Sequence, residues 1–240
     1  NEKHFEQLRS YSKDRYRWKR PSDCPEALPF FLLVENDVNL FSTVINALLA
    51  QSGWEWLAAS LGIAYVFLAS KASIWCWPAA FISTLIYTLL FWEGQLPMQA
   101  VLNVYYIGMA IYGFMLWRKH NHSNSTLVIT QRPLSFHLKF ISSGLILTGM
   151  IGTYLANMSD ARLPYLDATV MVFSVMNTVL MAKKIIENWL YWIIINILAI
   201  SLYFQTGYYV TIIMFTVYLT LAFYGYQNWK KLQKNSGASN

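Results

Sequence analysis

Long apolar segments recur along the chain and leave little room for any other structure. The chain is 56% hydrophobic and only 12% charged, which is too apolar for a soluble domain of 240 residues. A helix needs roughly 17 to 25 apolar residues to cross the hydrocarbon core of a bilayer. Segments of about this length lie at 54–70, 73–92, 97–117, 139–157, 164–182, 188–206 and 208–229. We therefore predict an all-α polytopic membrane protein.

The N-terminal part of the chain is less regular. Residues 1–28 form a basic polar tail that either lies on anionic headgroups or is simply solvated. Residues 29–51 predict an extra N-terminal membrane helix, although Glu35 and Asp37 interrupt the apolar run. The alternative is a shorter interfacial helix that begins near Val38.

The distribution of Lys and Arg predicts how the helices cross the membrane. A polar stretch at 118–138 separates two halves, and placing it in the cytoplasm leaves only Arg162, among 18 Lys and Arg residues, on the outer side. Both termini are then cytoplasmic if the number of spans is even, which favours a span at 29–51. The basic residues flank apolar spans, so they indicate membrane topology and do not indicate a nucleic-acid partner.

The two halves resemble one another. Tyr112-Gly113-x-x-x-Trp117 in the first half corresponds to Tyr224-Gly225-x-x-x-Trp229 in the second. We predict two parallel three-helix repeats joined by a linker helix, a 3+1+3 arrangement preceded by the extra helix. The first repeat is predicted at 54–117 and the second repeat at 164–229. A cytoplasmic loop and the linker helix are predicted between them, at 118–157, and a cytoplasmic tail at 230–240.

The alignment of the halves also indicates where they differ. It pairs Trp75 with Trp189 to within one residue, and it places Pro78 and Ile82 opposite Trp192 and Asn196. The second half therefore carries an aromatic and an amide that the first half lacks.

One face of the segment 188–206 predicts a binding wall. Trp189, Trp192 and Asn196 stand at helical spacing i, i+3 and i+7, and the opposite face is isoleucine and leucine. An amide and aromatics on one inward face suit a flat, polar ligand. The alternative roles are an interhelical contact for Asn196 and interfacial anchors for the tryptophans.

Other residues complete the candidate site. In the first half we expect contributions from Asn103, Tyr87 and Tyr106, and on the helix before the binding wall from Asn177. Each of these residues, taken alone, is also compatible with a packing role.

The motif Lys184-x-x-Glu187-Asn188-Trp189-x-x-Trp192-x-x-x-Asn196, followed by Gln205-x-Gly207, resembles the PnuC family of bacterial nicotinamide riboside transporters. The resemblance implies a SWEET-like fold, uptake of nicotinamide riboside, a vitamin B3 form and precursor of NAD, and location in the bacterial inner membrane. It also implies a homo-oligomer, with a trimer as the candidate form, and functional coupling to a cytoplasmic riboside kinase.

The residue types in the spans argue against other functions. All four histidines lie in predicted tails or loops, and outside the uncertain segment 29–51 the acidic residues near spans lie at span ends. Acid–base catalysis, metal binding and a cofactor are therefore not expected, and facilitated diffusion is favoured over ion-coupled pumping. The alternatives are a carrier of another small neutral or sugar-like solute, or a membrane scaffold that transports nothing.

The charge distribution gives a test of topology. Reporter fusions at Ser125 and at the C-terminus are expected to be cytoplasmic, and a fusion at Asp160 periplasmic, because the basic residues concentrate on the inner side. Activity on the same side for Ser125 and Asp160 would contradict the span assignment.

Overall fold

The structure, a computed structural model, describes residues 44–46, 48–49, 51–93, 97–122, 128–158 and 162–237. The chain divides into two units, Asn1–Ile45 and Asn46–Asn240. Nearly all of the first unit, with the predicted basic tail and most of the predicted helix at 29–51, lies outside the described residues. Those two predictions therefore stay untested.

The described part of the second unit contains seven long helices, which confirms the all-α prediction. They are α1 Gly53–Ser70, α2 Cys76–Glu93, α3 Pro97–His122, α4 Leu134–Met158, α5 Pro164–Ala182, α6 Asn188–Thr206 and α7 Tyr209–Gly237. The bounds follow the predicted segments to within three residues, except that α3 and α7 continue to His122 and Gly237 and α4 begins five residues earlier. The extensions of α3 and α7 are polar, so a search for apolar runs cannot detect them. The α4 extension is an apolar stretch, 134–138, that Ser135 and His137 interrupt.

Six of the seven helices, α2 to α7, are long and apolar enough to cross a membrane. The first helix is as long as α2, but its opening turn contains Trp54, Glu55 and Trp56. That turn is held by a capping box in which Ser52 and Glu55 bond each other's backbone amides. Gly207 ends α6 in the left-handed conformation (φ 81°), and α7 follows after a tight turn.

The helix contacts follow a symmetric pattern. Helix α2 packs against α1 and α3, and α6 packs against α5 and α7. Two further contacts, α1 with α7 and α3 with α5, join these groups of three. The two groups therefore correspond, with α1, α2 and α3 in the places of α5, α6 and α7. Under this correspondence, the contact of α1 with α7 matches the contact of α5 with α3. Helix α4 stands outside this pattern and packs along α5.

Two glycines let bulky indole rings approach the neighbouring helix backbone. A Cβ at Gly113 would lie 2.3 Å from the ring of Trp77, and a Cβ at Gly225 would lie 2.7 Å from the ring of Trp189. Trp77, and not Trp75, is thus the counterpart of Trp189, because Trp75 is 68% exposed. The sequence alignment of the halves was wrong by two residues at this point.

Two further indoles complete what we call the tryptophan cluster: Trp77, Trp117, Trp189 and Trp229. The Trp117 Nε1–H donates to the carbonyl of Ala182 at 2.8 Å, and the Trp229 Nε1–H donates to the carbonyl of Ala69 at 2.9 Å. Trp77 meets Trp117 edge to face with centroids 5.4 Å apart, and Trp189 meets Trp229 likewise at 5.5 Å. The cluster therefore satisfies carbonyls at the ends of α1 and α5.

The glycine contacts predict a stability difference between two positions on α3. Gly113→Ala is expected to destabilise the protein by about 1–3 kcal/mol, because the new methyl group overlaps the buried Trp77 ring. The matched control is Gly108→Ala on the same helix, where a Cβ meets no atom within 4 Å. It is expected to stabilise slightly, since alanine favours a helix over glycine. Thermal unfolding in detergent measures both, and equal melting temperatures would contradict the packing described.

Candidate binding cavity

A cavity of about 280 Å³ lies inside the bundle. All the long helices except α4 contribute to its wall. The lining residues are mostly aromatic and small, with a few hydroxyl groups and one amide. They include Gly62, Tyr65, Trp77, Ser83, Thr84, Tyr87, Tyr106, Ser174, Thr178, Trp189, Trp192, Asn196, Phe215 and Tyr218. Such a lining is typical of small-molecule sites, where a few polar groups fix the orientation of a ligand.

The predicted binding wall on α6 faces this cavity. Trp189, Trp192 and Asn196 all line it, as the i, i+3, i+7 spacing predicted. Asn196 is only 3% exposed, and its side chain has no hydrogen-bond partner among the described residues. An interhelical role for Asn196 would require such a partner. The unpaired amide is therefore available to a ligand.

The other predicted residues divide into two groups. Tyr87 and Tyr106 line the cavity with the α6 wall, whereas Asn103 and Asn177 do not. Asn103 donates to the carbonyl of Gln99 on its own helix at 2.9 Å. Asn177 is fully buried and donates to the carbonyl of Asn188 at 2.9 Å, which ties α5 to the start of α6. These two amides have structural partners.

Several cavity residues were missed from the sequence. Tyr65 and Tyr218 contribute hydroxyl groups from α1 and α7, and Ser83 contributes one from α2. Tyrosine and serine are common in membrane helices, and no helix carries enough of them on one face to form a pattern. The local signals are pairs that share one helix face, Gly62 with Tyr65 on α1 and Ser83 with Tyr87 on α2.

The described cavity wall carries no charged side chain. None of the described residues that line it is a Lys, Arg, His, Asp or Glu. The described part of the chain also contains no group of three or more His, Cys, Asp or Glu residues able to hold a metal ion. A ligand in this cavity would therefore meet aromatic faces, hydroxyl groups and the Asn196 amide.

Lys184 lies outside the cavity, in the turn before α6. Its Nζ lies 4.4 Å from the ring centroid of Trp117, a cation–π contact at the edge of the tryptophan cluster. Burial lowers the pKa of the Lys184 ammonium. Lys184 also adopts a positive φ of 50°, which Ala72 matches with 53° in the turn before α2.

Comparison with known proteins identifies the family. A family model described as nicotinamide mononucleotide transporter matches residues 52–231. The chain is also 31% identical to the nicotinamide riboside transporter PnuC of Neisseria mucosa over 194 residues, which cover 75% of this chain and 73% of that protein. The chain belongs to the PnuC family. The resemblance seen in the α6 motif is thus confirmed, and the protein is a multi-pass membrane transporter and not an enzyme.

Two further relatives extend the comparison. The crystal structure of a vitamin B3 transporter PnuC superposes with a TM-score of 0.64 at 26% identity, covering 87% of this chain and 94% of that one. The riboflavin/roseoflavin transporter RibM of Streptomyces davaonensis is 23% identical over 175 residues, 70% of this chain and 80% of that protein. PnuC-family similarity therefore extends over the whole helical bundle and includes a relative named for a flavin.

The two buried amides predict opposite effects on stability. Asn177→Leu is expected to lower stability by about 1 kcal/mol, because it removes the hydrogen bond to the buried Asn188 carbonyl. Asn196→Leu removes no such bond and is expected to leave the melting temperature unchanged or raised. A lowered melting temperature for Asn196→Leu alone would contradict the distinction.

Proposed function

We propose that this protein mediates facilitated diffusion of nicotinamide riboside into a bacterial cell across the cytoplasmic membrane. The observation that carries the proposal is the Asn196 side chain, which has no hydrogen-bond partner among the described residues and lies one helix turn from Trp192 in a largely apolar cavity. The names of the relatives, nicotinamide riboside transporter and vitamin B3 transporter, point to the same substrate.

The chemistry of nicotinamide riboside matches the α6 wall. Its pyridinium ring is flat and cationic, and the faces of Trp189 and Trp192 attract such a ring by cation–π interaction. Its carboxamide offers both a donor and an acceptor, and the Asn196 amide offers the same pair in return. The positive charge of the substrate needs no carboxylate in the wall if aromatic faces surround it.

Cavity size argues against the flavin that the RibM comparison suggests. Ligand sites are commonly about 300 to 1,000 Å³, and this cavity, at about 280 Å³, lies just below that range. A single pyridinium ring with one ribose is much smaller than the tricyclic ring and ribityl chain of riboflavin. The cavity also favours a carrier over a scaffold, because a bundle that only packs has no need of an interior space.

The lining also supports transport without ion coupling. A carrier driven by protons or sodium generally places carboxylates in its pathway, and none lies among the described cavity residues. Net uptake would then depend on a cytoplasmic kinase that phosphorylates the riboside. The phosphorylated product is anionic, and the uncharged wall disfavours its return because burial of an unpaired charge costs several kcal/mol.

The architecture around the cavity fits two parallel repeats at 54–117 and 164–229, joined through α4. The symmetric helix contacts and the paired indoles of the tryptophan cluster support this arrangement. The outward side of α4 is apolar, with exposed Leu138, Leu145, Ile146 and Met150. In a membrane that surface meets lipid or a second copy of the chain, which is consistent with the homo-oligomer implied by the family resemblance.

Binding and uptake by purified protein test the proposed function. Calorimetry should detect nicotinamide riboside, and Asn196→Leu and Trp192→Leu should each weaken its affinity by about 5- to 150-fold, the equivalent of roughly 1–3 kcal/mol. Uptake into liposomes should stop at equal concentrations on both sides, and imposed proton or sodium gradients should not shift that plateau.

Three controls make this test specific. Asn103→Leu is the same substitution outside the cavity, and it should leave affinity unchanged. The mononucleotide and riboflavin should both bind far more weakly than the riboside. Normal riboside affinity in both α6 variants would exclude the α6 wall, and accumulation driven by a gradient would exclude facilitated diffusion.

A further inference from the structure

A polar junction joins the first turn of α4 to the start of α6, outside the cavity. The sequence predicted His137 to lie in a loop, whereas the structure places it in the first turn of α4. Its Nδ1 lies 2.9 Å from the Tyr191 hydroxyl, and its Nε2 lies 3.8 Å from Glu187 Oε1. The same carboxylate oxygen accepts from the Arg132 amide at 3.2 Å. We call His137, Glu187 and Tyr191 the α4–α6 junction.

The junction is incomplete in its hydrogen bonding. His137 Nε2 and Glu187 Oε2 are both buried, and neither has a hydrogen-bond partner in the described part of the chain. The 3.8 Å between Nε2 and Oε1 is too long for a hydrogen bond. Buried polar atoms without partners are uncommon in proteins because each one costs free energy. The imidazole and the carboxylate therefore lack one bond, which a single added proton can supply.

A proton on the imidazole would close this gap. A neutral imidazole has one N–H group, whereas the charged ring has two and donates from both nitrogens. Nδ1–H would then donate to the Tyr191 hydroxyl, and Nε2–H would donate to the Glu187 carboxylate. A charge-assisted bond of this kind is about 2.7–2.9 Å long, so the two groups would approach each other by roughly 1 Å. Histidine is the side chain whose charge ordinarily changes between about pH 5 and pH 8.

The other charged groups of these segments are exposed or lie against another ring. The exposed cations are on the loop before α4, on α4 itself and in the turn before α6: Arg132, Lys139 and Lys183. The ammonium of Lys184 lies over the Trp117 ring. Helix α7 reaches the loop through the uncharged Gln233, and α5 packs around Tyr191 with apolar side chains: Phe173, Met176 and Leu180. The carboxylate that faces the His137 ring is that of Glu187.

The junction holds the part of α6 that carries the binding wall. Glu187 is the N-cap residue of α6, and the Tyr191 ring, one turn further along, packs on α4. Trp192 follows Tyr191 directly. Asn196 lies one turn beyond Trp192, and its side chain has no hydrogen bond within the described residues to hold it. Closure of the junction would therefore restrain the helix turn from which the wall extends.

We propose that the α4–α6 junction is a proton-sensitive latch, in which a proton on His137 closes the ion pair with Glu187 and tightens riboside binding on the α6 wall. This inference rests on the function proposed above and adds a regulation of the same site. Neither residue lines the cavity, so both act as positioning residues. The charge distribution predicts that this end of the bundle is cytoplasmic, and the latch would then respond to the pH inside the cell.

Riboside affinity at two pH values tests the latch. Calorimetry is carried out on the full chain in detergent, at about pH 5.5 and about pH 8, which lie on either side of the usual histidine titration. The pyridinium charge of nicotinamide riboside is fixed, so the ligand is the same at both values. The wild type is expected to bind at least about 5-fold more tightly at the acidic pH, the lower end of typical coupling between two sites. Equal affinity at both values would overturn the latch while the transport proposal stands.

Two substitutions remove the latch at different atoms. His137→Gln keeps a hydrogen-bonding side chain that cannot take a proton, and Glu187→Gln keeps an acceptor for the Arg132 amide without the charge. Each should lose most of the difference between the two pH values and bind with the affinity that the wild type has at the alkaline pH. The matched control is His120→Gln in α3, which should keep the full difference. A loss of affinity by the same factor at both pH values would indicate a merely structural role and overturn the latch.

Thermal unfolding without ligand separates the latch from the proposed function. The charged imidazole gains its partner only in the folded protein, so its contribution to stability is present at acidic pH and is lost as the pH rises through the histidine range. His137→Gln should therefore lower the melting temperature at the acidic pH and change it little at the alkaline pH. If the wild type binds riboside at neither pH, the proposed function is overturned, and with it the tightening. The same shift in melting temperature at both pH values would overturn the latch whatever the ligand does.

Discussion

The backbone carbonyls of Ala69 and Ala182, at the ends of α1 and α5, have to find donors in the protein, because both residues are fully buried and out of reach of water. The indole N–H groups of Trp229 and Trp117 fill that role by bonding Ala69 and Ala182. With these carbonyls bonded, the chain turns sharply after α1 and after α5, through Ala72 and Lys184, which have positive φ, and then begins the next helix. These two bonds tie the end of α1 to α7 and the end of α5 to α3, and all four of these helices line the cavity.

The segment between the two halves of the chain supports the turn between α5 and α6. The Thr130 amide donates to the Lys184 carbonyl at 3.0 Å, and the Thr130 carbonyl accepts from the Ile186 amide at the same distance. The His137 ring nitrogen lies 2.9 Å from the Tyr191 hydroxyl, one residue before Trp192. This segment thus fixes the start of α6 as well as connecting the two halves of the chain. Such support suits a site in which an amide must be held in place without a hydrogen bond of its own.

The sequence was sufficient for those features that are set by one helix alone. Apolar runs predicted the seven helices, and the i, i+3, i+7 spacing placed Trp189, Trp192 and Asn196 on the face that lines the cavity. Whether a buried amide has a hydrogen-bond partner depends instead on the neighbouring helices. Asn177 and Asn196 look alike in sequence, but the carbonyl of Asn188 accepts from Asn177, whereas Asn196 has no partner in the described part of the chain. The hydroxyl groups of Tyr65, Ser83 and Tyr218 in the cavity wall were missed for the same reason, since α1, α2 and α7 contribute them separately.

The packing frame is symmetric, whereas the cavity wall is not. Trp77 and Trp189 occupy equivalent places against Gly113 and Gly225, yet the residues that follow them differ. Three and seven residues after Trp77 stand Ala80 and Thr84, where α6 has Trp192 and Asn196. The Thr84 hydroxyl donates within its own helix, to the Ala80 and Phe81 carbonyls, whereas the Asn196 amide has no partner among the described residues. A frame of duplicated contacts thus allows the two walls to diverge. A molecule with a flat cationic end and a hydroxylated end requires two unlike walls of this kind.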